Sequence, residues 1–236
     1  MQGLKIKNNF FYYKKDRKKS YLKLVLVVLI YYILNNYLLN FLDSIFPVLN
    51  KISSNESTGT LKELTIPKLT IILLFASLLE ELKYRLVFTK ANFKYLIFSI
   101  ALLVTDLLFT LLRPSSLNLF GEKYLVILLY FVSLFLVAIG IFKILTTILL
   151  DKKEFIEEFI YNSYVKLFII QAVLFAFWHI YFSGQIEKHH IITLAMVHFI
   201  GALFFGMIRI YYGIITSVLV HFILNFLSYI LYFIFI

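Results

Sequence analysis

The chain has 236 residues, of which 61% are apolar, and a formal net charge of +10 at pH 7. Apolar residues make up about half of a typical soluble domain, so this composition excludes an ordinary soluble protein and indicates a membrane protein. The chain contains no cysteine, which excludes disulfide frameworks, iron–sulfur clusters and thiol catalysis.

Residues 1–20 form a basic tail in which Asp16 is the only acid. A basic tail directly before an apolar segment is typical of a cytoplasmic anchor that contacts anionic lipid. We therefore expect the membrane surface, and not nucleic acid, to be the partner of this positive charge.

Residues 21–236 are predicted to form the transmembrane helical domain, with the N-terminus in the cytoplasm of a bacterial cell.

Seven apolar segments follow the tail, and each has roughly the 20 residues needed to cross a hydrocarbon core of ~30 Å. The first covers about 21–42, the second begins near Ile66, the next four cover about 95–112, 123–150, 165–182 and 190–210, and the last runs from Gly213 to the C-terminus. The sequence therefore predicts an all-α, polytopic membrane helical bundle with about seven transmembrane helices in the cell membrane.

The second segment contains Glu80, Glu81 and Arg85. Ionisable side chains at membrane depth cost on the order of 2.5–3.5 kcal/mol each, so they usually have partners and mark function. Glu81 and Arg85 lie four residues apart and can pair on one helix face. Glu80 points about 100° away from Glu81, which leaves it available as a general base. These three residues alone fit a structural ion pair near a helix end equally well.

The fifth and seventh segments each contain a histidine with a partner four residues away. Phe175 and His179 share one helix face, as do His221 and Asn225. Imidazole and carboxamide groups can orient a water molecule or donate hydrogen bonds to an oxyanion. A single membrane histidine more often makes a structural contact between helices, but three such patterns in one chain favour a site.

The three patterns are Glu-Glu-x-x-x-Arg at 80–85, Phe-x-x-x-His at 175–179 and His-x-x-x-Asn at 221–225. In this order they resemble the motifs of the CAAX-protease and bacteriocin-processing family (CPBP, formerly Abi), and the resemblance covers about residues 66–236. It implies an intramembrane glutamate endopeptidase that requires neither a cofactor nor a metal. Its partner would be a peptide or protein substrate in the membrane.

The resemblance also implies a role for each motif residue. Glu80 would act as general base on a water molecule held together with His179. His221 and Asn225 would stabilise the oxyanion of the tetrahedral intermediate. The residues that shape the site would be Glu81, Arg85 and Phe175.

The chain departs from the family in one respect. The first two motifs usually lie on consecutive spans, whereas here two further spans, about Tyr95 to Leu150, separate Glu80 from His179. Counting residues along the segments places Glu80 toward the cytoplasmic half of its span and His179 near the outer end of its own. Two additional spans preserve the in/out parity, so the motifs can still converge.

Other functions fit parts of the same pattern. Glu80, His179 and His221 could instead bind zinc, since a carboxylate and two imidazoles suit a catalytic zinc site. Some relatives are non-catalytic membrane scaffolds or bacteriocin-immunity proteins. A transporter or channel would use additional ionisable groups, for which the candidates are Asp106, His198 and Arg209. We assign none of these three a catalytic role, and we expect His198 to pack within the sixth segment.

The composition also bears on the substrate. Frequent Lys, Ile, Asn, Tyr and Phe residues are typical of an AT-rich bacterial genome, in which prenylated proteins are not expected. We therefore favour a bacteriocin leader, a pheromone precursor or a membrane protein as the substrate over a prenylated C-terminus.

Overall fold

A computed structural model describes residues 21–45, 65–88, 92–112, 124–182 and 188–235, and these contain α-helices, two 3₁₀ turns and no strand. The helices are α1 (Tyr21–Ile45), α2 (Ile66–Arg85), α3 (Phe93–Leu112), α4 (Tyr124–Leu149), α5 (Lys153–Asn162), α6 (Tyr164–Phe182), α7 (Lys188–Tyr212) and α8 (Ile214–Phe235). Seven long helices occupy the seven predicted segments, and the all-α class is confirmed. The basic tail at 1–20 lies outside the described residues.

Length and composition identify the described part of the chain as a membrane helical bundle, as predicted. Four of its helical segments are long and apolar enough to cross a membrane: Phe93–Leu112, Leu125–Asn162, Leu194–Tyr212 and Ile214–Leu231. Large apolar side chains on these segments remain exposed on the outside of the bundle. Such an outer surface suits lipid, because apolar patches of this extent are rare on soluble monomers.

Local sequence determines where two of the helices begin. Pro67 lies in the first turn of α2, where its missing N–H and fixed φ are tolerated. Gly213 separates α7 from α8 and has φ +91°, a conformation that favours glycine because it has no Cβ. The Gly213 N–H donates to the Arg209 carbonyl (3.0 Å) and closes the end of α7. A one-residue connection therefore links the two helices.

Helices α3 and α4 pack together along one side of α2. Ile72 and Leu79 of α2 join Leu102 of α3 in an apolar cluster. The residues that α4 adds to this cluster are Ile127, Phe131, Leu134 and Ala138. The two helices that follow Glu80 in the sequence therefore lie beside α2, and α6 still packs directly against it.

Helix α6 runs antiparallel to α2, which brings the first two motifs to the same level. At one end the Tyr164 hydroxyl donates to the Phe88 carbonyl (3.0 Å), and further along the Phe175 ring packs edge-on against Tyr84. The 3₁₀ turn Leu86–Phe88 is buried and extends α2. Glu80 thus lies eight residues, about 12 Å, from the end of this helical segment. The expectation from residue counting, that Glu80 and His179 lie at different depths, is wrong.

Candidate active site

Three helices bring Glu80, His179 and His221 into contact. Nε2 of His179 lies 3.7 Å from Oε1 of Glu80, and Nε2 of His221 lies 3.4 Å from Oε2. The side chain of Glu80 is 18% exposed and that of His179 is 25% exposed. The carboxylate therefore faces an imidazole on each side and remains partly accessible.

The orientation of the His179 ring is fixed by its own helix. Nδ1 of His179 lies 2.9 Å from the Phe175 carbonyl oxygen. A carbonyl oxygen can only accept a hydrogen bond, so Nδ1 carries the proton. In the neutral imidazole, Nε2 then has a free lone pair, and this is the nitrogen that faces Glu80. The backbone carbonyl of Phe175 therefore orients the His179 ring.

Glu81 has a different set of partners. Arg85 Nη1 lies 2.5 Å from Glu81 Oε1, and the Ser217 hydroxyl donates to Oε2 at 2.6 Å. Nδ1 of His221 lies 3.3 Å from Oε1. The Glu81 and Arg85 side chains are fully buried, so the positive charge of Arg85 compensates this carboxylate inside the bundle. Glu81 therefore lies beside the His221 ring, but Nδ1 of His221 makes no hydrogen bond within the described part of the chain.

Two aromatic rings enclose the charged groups. The Arg85 guanidinium lies 4.7 Å from the Phe175 ring and 5.4 Å from the Phe205 ring. The same two rings contact the imidazoles, with centroid distances of 4.2 Å from Phe175 to His179 and from Phe205 to His221. Cation–π contacts and ring packing of this kind restrict the side-chain rotamers. Phe175 thus lies where the sequence predicts a residue that shapes the site.

Asn225 lies one turn beyond His221 on the same face of α8 and is partly buried. Its carboxamide takes no part in the hydrogen bonds described among residues 21–45, 65–88, 92–112, 124–182 and 188–235. Its place in the site follows from the i, i+4 spacing on α8. The role predicted for it remains a prediction.

The structure adds Ser217, which sequence reasoning did not assign to the site. Its hydroxyl contacts both Glu81 and the Phe205 carbonyl (3.2 Å). Ser217 precedes His221 by four residues, so it shares the His221 face of α8. That spacing is the signal that could have identified it.

Two ionisable residues without a predicted catalytic role lie in or near the site. His198 of α7 stacks on the His179 ring with 4.2 Å between centroids, so it does more than pack within its own segment. Asp106 of α3 pairs with Lys83 of α2 at 2.6 Å. The sequence gives no local signal for the Lys83–Asp106 or His179–His198 contact, because the two residues of each pair lie on different helices.

Within the described residues, no three histidine, aspartate or glutamate side chains form a group that could hold a metal ion.

No protein-family model matches the chain, no curated protein matches it, and no solved structure matches it. The resemblance of the three motifs to the CPBP family therefore stays a prediction from the sequence.

Proposed function

We propose that this protein is an intramembrane endopeptidase of the CPBP type, which hydrolyses a peptide bond with water activated by Glu80. The proposal rests on one observation: the Glu80 carboxylate faces His179 and His221, whereas the adjacent Glu81 is already neutralised by Arg85. A partly accessible carboxylate beside two imidazoles can act as a general base on a water molecule.

The 3.7 Å separation between Glu80 Oε1 and His179 Nε2 is too long for a direct hydrogen bond, and the proposal places the reacting water molecule beside both atoms. Both atoms are hydrogen-bond acceptors when His179 is neutral with its proton on Nδ1, so a water molecule can donate one hydrogen to each. In the proposed reaction Glu80 takes a proton from this water molecule while the water oxygen attacks the carbonyl carbon of the substrate. The new C–O bond produces a tetrahedral intermediate with a negatively charged oxygen.

His221 and Asn225 are the proposed donors to that oxyanion. They lie one turn apart on the same face of α8, so an imidazole N–H and a carboxamide N–H can point to one position. The stacked Phe205 ring restrains the His221 ring, and its donor would be Nε2–H, since Nδ1 makes no hydrogen bond to another described residue. The intermediate then collapses, the C–N bond breaks, and Glu80 returns its proton to the leaving nitrogen. Glu80 ends each cycle in its starting state.

We also propose a multi-pass arrangement with the N-terminus in the cytoplasm and the basic residues 1–20 on anionic lipid. The substrate would be a membrane-associated or hydrophobic peptide or protein, because the site lies among apolar helices. Enclosure in such a bundle limits bulk water and strengthens the electrostatic contacts of the site.

The experiment compares peptides cleaved in cells that carry the wild-type protein, Glu80→Gln, Glu158→Gln or no protein. Glu158 is an exposed acid on α5 and supplies a matched control for the loss of one carboxylate. All proteins must accumulate equally in the membrane. We expect cut peptides only with the wild type and Glu158→Gln. If Glu80→Gln cells resemble the wild type while cells without the protein differ, the protein acts by binding and the proposal is wrong.

A further inference from the structure

Lys83 and Asp106 form a largely buried ion pair that the proposed reaction does not use. The pair joins α2 to α3 through a contact of 2.6 Å between Nζ and Oδ2, and the two side chains are 7% and 14% exposed. Replacement of a buried ion pair by apolar residues is often neutral or stabilising. Stability alone therefore does not explain a pair of charges at this depth.

The pair lies next to the candidate active site. Lys83 follows Glu80 by three residues, and side chains at this spacing are neighbours on a helix surface. The Lys83 ammonium lies 5.6 Å from the ring of Trp178, the residue before His179. Lys83 thus lies at the junction of α2, α3 and α6, beside the proposed base.

The pair retains unused hydrogen-bonding capacity. A lysine ammonium has three donors, and a carboxylate has about four acceptor positions. Among the described residues, the two side chains share one hydrogen bond, from Lys83 to Asp106 Oδ2. Lys83 can therefore donate to a further acceptor, and Asp106 can accept from a further donor.

An extended peptide supplies both kinds of partner. Within hydrocarbon, every backbone N–H and C=O needs a hydrogen-bond partner, and a segment that unwinds for cleavage loses its helical partners. We propose that the Lys83–Asp106 pair is a subsite that binds the backbone of an extended substrate segment beside the scissile bond. Lys83 donates to a substrate carbonyl and Asp106 accepts from a substrate N–H. This inference rests on the proposed function and specifies its substrate as an unwound segment.

The test uses purified full-length protein and a synthetic quenched-fluorescence peptide that spans a cut site mapped in cells. The variant is Lys83→Met with Asp106→Val, which removes both charges and leaves neither unpaired. Lys166→Met, at an exposed lysine on α6, is the control. Hydrogen bonds to charged groups contribute enough to change binding about tenfold. We expect KM to rise about tenfold or more in the double variant, with kcat within about twofold, because the contact is uniform binding.

A second arm replaces the substrate amide next to the scissile bond by an ester, which removes one N–H. We expect the ester to raise KM for the wild type and to leave KM of the double variant unchanged. An unchanged KM in the double variant, or a loss confined to kcat, overturns the subsite. Absence of any cleavage by the wild type is a different result, since it contradicts the proposed function itself.

Discussion

Glu80 and Glu81 are adjacent in sequence, yet they lie in two unlike regions of the molecule. Glu81 is fully buried between Arg85 and Ser217, while Glu80 remains partly exposed and faces two imidazoles. Neighbouring residues on a helix point about 100° apart, so each meets side chains from different helices. The role of each carboxylate is thus determined by the groups that surround it, which a pair of identical residues in a motif does not reveal.

Among the substitutions near Glu81, we expect Arg85→Met to cause the largest loss of stability. It leaves a fully buried carboxylate without its compensating charge, and loss of one partner of a buried pair costs about 3–5 kcal/mol. We expect a strong decrease in melting temperature and in accumulation in the membrane. The measurement is thermal unfolding in detergent, with Lys166→Met as the control. A melting temperature equal to the wild type would contradict the structural role of the Glu81–Arg85 pair.

Asn225→Ala tests whether the Asn225 carboxamide acts as an oxyanion donor beside Glu80. Removal of one oxyanion donor lowers kcat by about 10²–10³ in characterised enzymes, and we expect a loss of this size with an unchanged melting temperature. Single-turnover cleavage of the mapped peptide provides the measurement. The neighbouring Ser228, which is exposed on α8, offers a control position as Ser228→Ala. Wild-type kcat in Asn225→Ala would exclude the carboxamide from the reaction.

Ser217→Ala is the mildest change to the Glu81 region. It removes a 2.6 Å hydrogen bond to a buried carboxylate but leaves Arg85 in place, so we expect a loss of about 1–3 kcal/mol. The decrease in melting temperature should be smaller than for Arg85→Met. If the two variants lowered the melting temperature equally, the charge of Arg85 would stabilise Glu81 no more than the Ser217 hydroxyl does. That result would contradict this prediction.

Much of the fold follows from the sequence, because hydropathy and length determine where long helices form. Pairing within one helix was also predictable, since Glu81 and Arg85 are four residues apart and do pair. The positions of α3 and α4 were not predictable. Their apolar residues fit either side of α2, and only the packing of Leu79 with Leu102 and its neighbours places them beside it.

Contacts between helices are the part of the site that the sequence did not reveal. The level of His179 depends on the buried turn Leu86–Phe88 and on where α6 begins against it, and residue counts do not include that offset. Lys83 with Asp106 and His179 with His198 are partners on different helices. No periodicity along a single helix encodes such pairs.

The most direct measurement compares Glu80→Gln with Glu81→Gln in purified protein, by melting temperature and by cleavage of the mapped peptide. We predict opposite results: Glu80→Gln should lose cleavage by about 10²–10⁴ and keep its melting temperature. Glu81→Gln should lower the melting temperature, because it leaves the buried Arg85 charge uncompensated. Wild-type cleavage by Glu80→Gln, together with a stable but inactive Glu81→Gln, would contradict the assignment of Glu80 as the base.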